Sequence, residues 1–96
     1  MTSESFLKVA LPPEVEPYRD DIRRFVDAMI YKLKVHSKKG KWETLDMASV
    51  LPKLQAEVAE LEEAVAGGNM VEVLLEAADV ANYALISASI AVEKGK

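Results

Sequence analysis

Four acidic residues, Glu57, Glu60, Glu76 and Asp79, stand in the spacings ExxE and ExxD. Residues three apart on a helix share a face. The two pairs are separated by 15 residues that contain Gly67-Gly68-Asn69, a helix-breaking tripeptide. A helical hairpin turning there would bring the four carboxylates together. Carboxylates so crowded repel one another, and a hard divalent cation is their natural neutraliser. Oxygen-only ligands in a chain without cysteine favour Mg²⁺, with Mn²⁺ as a substitute, over zinc. Such a cluster suits a metal-dependent reaction on a phosphate-rich substrate. The plainer alternative is an acidic helical surface, because glutamate is a good helix former. Against it, no lysine or arginine lies between Leu54 and Glu93 to pair these acids.

The elements that would position the acids follow from apolar periodicity. Ile22, Phe25, Val26, Met29, Ile30 and Leu33 repeat at helical spacing, which predicts a first helix from near Pro17 to near Ser37. Lys38-Lys39-Gly40-Lys41 ends it. A second helix begins between Asp46 and Ser49. Pro52 is tolerable only in the first turn, which favours Ser49 as the cap. Leu54, Val58, Leu61 and Val65 form its apolar stripe, with Glu57 and Glu60 beside it. A third helix runs from about Met70 to about Glu93 and is apolar on most sides, with Glu76 and Asp79 set among apolar neighbours. The fold class is therefore all-α. A central apolar helix, with three helices per chain, predicts a four-helix-bundle-like core completed by dimerisation, as a homodimer or a dimer-of-dimers tetramer. Residues 1–17, with Pro12, Pro13 and Pro17, read as an irregular arm, and residues 18–96 as one helical domain.

Composition narrows the function classes. The net charge is −4, so binding of a nucleic-acid polymer is not expected. Charge is segregated: residues 32–41 hold five lysines and one histidine, whereas Leu54 to Glu93 hold eight acids. That asymmetry suits an anionic substrate bridged by a cation, and also suits simple pairing of neighbouring surfaces. The lack of cysteine excludes disulfides, zinc thiolate sites and cysteine nucleophiles. No signal peptide is read at the N-terminus. The longest uncharged run, Val80 to Val92, has 13 residues, too few to span a bilayer, so a cytoplasmic protein with no membrane partner is expected.

KLQAEVAELEEA followed by EAADVANYALI resembles the MazG-like all-α nucleoside triphosphate pyrophosphohydrolases. The pattern His36-x-x-Lys39-Gly40-x-Trp42 is similar to the small phage and bacterial members of that superfamily. The resemblance spans roughly Tyr18 to Ala91. It implies an enzyme: Mg²⁺-dependent hydrolysis of a (deoxy)nucleoside triphosphate to monophosphate and pyrophosphate, a house-cleaning of the nucleotide pool. By motif position, Glu57, Glu60, Glu76 and Asp79 would be the catalytic metal ligands. Lys39 would contact phosphate, with Lys41 and Lys38 after it. Trp42 would stack on a base or plug the bundle. His36 would touch phosphate or base, or make a structural hydrogen bond. Asn82 would bind sugar or phosphate oxygens, and Tyr83 would pack on the base or in the core.

Two departures stand out. Ala56 replaces the leading acid of the EExxE found in many relatives, which leaves the number of metals open, and KGKW replaces KGGW. Two other readings compete. One is a phosphoribosyl-ATP pyrophosphohydrolase, against which the His-Lys-Trp loop argues. The other is a non-catalytic helical interaction module.

Overall fold

The computed structural model describes residues 10–37 and 45–94. Its regular elements are all helical, with no strand among the described residues. A 3₁₀ turn at Glu16–Tyr18 leads into α1 (Arg19–His36), followed by α2 (Met47–Gly67) and α3 (Met70–Lys94). The helix start therefore lies slightly past the expected Pro17, which sits inside the 3₁₀ turn. Of the residues read as an irregular arm, 10–17 include ordered turns: the N–H groups of Val15 and Glu16 both donate to Pro12 O. Residues 1–9 lie outside the described residues, and so does the predicted stop at Gly40.

α1 ends at Ser37, whose hydroxyl donates to Lys34 O at 2.7 Å. α2 begins one turn earlier than the proline argument required. Asp46, not Ser49, is the cap: its carboxylate accepts from Ser49 N–H at 2.9 Å. Pro52 consequently lies within the helix rather than in its first turn. A satisfied N-cap contributes about 1 kcal/mol, and it offsets part of the single backbone bond that proline cannot make.

The turn between α2 and α3 is built as its sequence suggests. Gly68 adopts φ +76°, the left-handed cap, and its N–H reaches Ala64 O and Val65 O. Asn69 then caps α3, its side-chain oxygen accepting from Glu72 N–H at 3.0 Å.

α3 is the central element and packs against both α1 and α2. Its buried residues are Ala78, Asp79, Asn82 and Ile86. Against α1 it runs antiparallel: Asn82 meets Met29 and Asp79 meets Lys32. The seam on α2 differs from the expected stripe. Val50 and Ala64 are buried and Leu54, Glu57 and Leu61 half-buried, whereas Val58 and Val65 face outward. On α1, Ile30 is likewise exposed and Ala28 takes the buried place.

Alanines 28, 64 and 78 form most of the core, with Val50 and Ile86. Small side chains let the helices approach closely, but they bury little apolar area. Much of α3 stays uncovered, including Met70, Val71, Leu85 and Val92. By length and composition alone, one helix among the described residues passes a spanning test that the core helices of soluble proteins also pass. Met70–Lys94 is long enough and has a window of mean hydropathy 1.4, with 22% of that window buried.

Candidate metal centre

The hairpin and the central position of α3 bring acids from two helices together. Glu57 on α2 and Glu76 and Asp79 on α3 each offer one carboxylate oxygen, all within 4.8 Å of one another. Glu60, expected as a fourth member, is exposed and lies outside this trio. It still acts on the trio electrically, because it raises the pKa of Glu57 and of Glu76.

The trio is under electrostatic stress. Burial, then a hydrogen bond with Glu60, then the charges of Asp79, Glu60 and Glu76 push Glu57 up to about 7. Glu76 is raised as well, first by burial and then by the charges of Glu60 and Asp79. Glu57 Oε2 and Glu76 Oε2 are both buried without a hydrogen-bond partner. Buried carboxylate oxygens without donors are costly.

Asp79 is served differently. Lys32 Nζ lies 3.0 Å from Asp79 Oδ2, with the lysine side chain 17% and the aspartate 8% exposed. Burial alone would lower the lysine pKa. The hydrogen bond to Asp79 and the charges of Asp79, Glu76 and Glu57 outweigh it, so the ammonium is held more firmly than usual. His36, one turn further along α1, places Nε2 3.5 Å from Asp79 Oδ1.

Lys32 was not among the residues singled out for the site. Residues 54–93 hold no lysine or arginine, and the cation that pairs with Asp79 comes from another helix. A local signal existed: Met29, Lys32, Leu33 and His36 share one face of the first helix.

The polar residues one turn past Asp79 also line this region. Asn82 is 5% exposed and donates Nδ2–H to Met29 O at 3.0 Å, while its Oδ1 has no partner. Tyr83 is half-buried. Its hydroxyl pKa is raised by burial and then by the charges of Glu57, Asp79 and Glu60. Lys38, Lys39, Lys41 and Trp42 lie outside the described residues.

The donor set fits a hard divalent ion. Glu57, Glu76 and Asp79 would hold such an ion, and the two carboxylate oxygens that lack donors, Glu57 Oε2 and Glu76 Oε2, are the kind of group it would neutralise. No protein-family profile, curated protein or solved structure matches this chain.

Proposed function

We propose that the chain is a Mg²⁺-dependent nucleoside triphosphate pyrophosphohydrolase, cutting between the α and β phosphates to give monophosphate and pyrophosphate. The observation that carries this reading is the convergence of Glu57, Glu76 and Asp79 from both arms of the hairpin, with two buried oxygens lacking donors. The motif resemblance supplies the substrate class.

In this reading Glu57, Glu76 and Asp79 hold the ion, and Glu60 stands at its exposed side. The ion supplies charge neutralisation for phosphate oxygens and activation of water. A carboxylate of the trio that is not fully engaged as a ligand would be placed to take a proton from water. Tyr83 and Asn82 form the neighbouring wall and meet the sugar or base. His36 and the lysines of residues 38–41 meet the phosphates. The chain works as a homodimer or a dimer of dimers, with the uncovered face of α3 completing the bundle.

The test is a panel of NTPs and dNTPs with and without Mg²⁺, with pyrophosphate and monophosphate assayed together. Stoichiometric, Mg²⁺-dependent release of both is expected. Glu57→Gln and Asp79→Asn should each abolish release with helix content retained. Turnover surviving in both variants would remove the metal assignment. The exposed apolar surface of α3 favours one other reading, a non-catalytic interaction module. Its mark is an association unaffected by Mg²⁺, with no turnover on any nucleotide.

A further inference from the structure

The ammonium of Lys32 is paired with Asp79, one of the three acids of the trio. It lies 3.0 Å from Asp79 Oδ2 and is 17% exposed. Glu76 and Glu57, the other members of the trio, act on it as well as Asp79 does. The lysine reaches Asp79 from α1, and the Asp79 carboxylate lies within 4.8 Å of ligand atoms of Glu57 on α2 and Glu76 on α3.

We propose that Lys32 is a tethered counter-ion that holds this cluster while no divalent ion is bound, and that an arriving divalent cation displaces its ammonium from Asp79. This rests on the metal-dependent reading above and adds a role for a residue that reading does not use. The freed ammonium then becomes available to an anionic phosphate at the same site.

Three physical points support the displacement. An ammonium brings one positive charge to three carboxylates, and a hard divalent ion brings two and takes several oxygens at once. Lysine is a compact charge on a flexible four-carbon stem, so it can withdraw without moving its helix. The α1–α3 contact does not depend on the ion pair alone: the Asn82–Met29 hydrogen bond ties the same two helices one turn away. Lys32 can therefore release Asp79 while the helices remain in register.

The prediction runs opposite to that of a merely structural lysine. Removing a structural ion pair loosens the cluster and weakens cation binding. Removing a competitor strengthens it. Mn²⁺ binding to the full chain is measured through the free-ion electron paramagnetic resonance signal, for the wild type, Lys32→Met and Lys32→Arg. Lys32→Met should bind Mn²⁺ at least about tenfold more tightly, because a divalent ion a few ångströms from a unit charge is disfavoured by at least that factor even with the screening of bulk water. Lys32→Arg should return toward wild type.

A second readout needs no variant. The chain is acetylated with and without saturating Mn²⁺, and Lys32 and the exposed Lys53 are compared by peptide mass spectrometry. Lys32 should become several-fold more reactive with Mn²⁺ and Lys53 should not change. Mn²⁺ binding to Lys32→Met that is equal or weaker, or Lys32 still protected at saturation, overturns the proposal. Absence of Mn²⁺ binding in both wild type and Lys32→Met is a different result, and it removes the metal-dependent reading itself.

Discussion

Glu57 carries its carboxyl into the α2–α3 seam, where its pKa rises from 4.5 to about 7. Between those two values the folded chain holds a proton that the unfolded chain has released. Stability in metal-free buffer is therefore highest below about pH 4.5 from this group, and falls as pH rises through 7. Solvent screening keeps the loss below the roughly 3–4 kcal/mol that the full shift would give. Urea denaturation at pH 5 and pH 8 should show it, Glu57→Gln should remove most of the slope, and saturating Mg²⁺ should restore stability at pH 8. Equal slopes for wild type and Glu57→Gln would place the proton elsewhere. Asn82 offers a second test at this scale. It makes one hydrogen bond to Met29 O and leaves Oδ1 orphaned. Asn82→Leu removes this bond and the orphaned oxygen together, and Met29 O, inside α1, keeps its own helical donor rather than being left bare. Asn82→Leu should change stability by less than about 1 kcal/mol yet impair nucleotide turnover. A large drop in melting temperature would mean that the amide mainly joins the two helices.

At the scale of elements, the two glycines of the hairpin should respond in opposite directions. Gly67 is the last residue of α2, and a Cβ there meets nothing within 4 Å. Gly67→Ala should stabilise by about 0.5–1 kcal/mol by restricting the unfolded chain. Gly68 has equal space but φ +76°, so Gly68→Ala should cost about 1–2 kcal/mol. Thermal melts of the two variants read both signs at once. This turn was legible in the sequence because glycine and asparagine act on their own backbone. The seam of α2 was less so. Periodicity assigns Val58 and Val65 inward because they are apolar, but the helix packs along Val50, Leu54, Glu57, Leu61 and Ala64. A thin hairpin buries one narrow strip, and Glu57 falls on it. The same rotation explains why Glu57 joins the trio and Glu60 does not. At the start of α2 the Asp46 cap prevails over the preference of proline for a first turn, so Pro52 lies within the helix. Lys32 escaped notice because its partner lies on another helix, 47 positions away by subtraction of 32 from 79, and pairings at that distance leave no local pattern.

At the scale of the whole molecule, the buried core is too small for the apolar surface the chain carries. Val50 is the largest side chain that is fully buried, while Met70 is 82% and Val92 62% exposed. Small helical chains usually need a partner to bury enough surface. A second copy laid along α3 would cover Leu85 and Val92, which lie off the strip where Asp79 and Asn82 meet α1. Sedimentation equilibrium should therefore give a dimer or larger species, with a melting temperature that rises with protein concentration. Leu85→Lys should shift the equilibrium toward monomer and lower the melting temperature, while Lys53→Glu on exposed α2 should do neither. A bilayer is the competing cover, since Met70–Lys94 is long and apolar enough to enter one. That alternative would carry Glu72, Glu76 and Asp79 toward lipid, which is costly for acids unless they face a protein interior. Flotation with phosphatidylcholine vesicles separates the two covers. Protein that stays in the aqueous fraction as an oligomer supports the second copy. Protein that floats with the vesicles, or a concentration-independent monomer that melts sharply, overturns it.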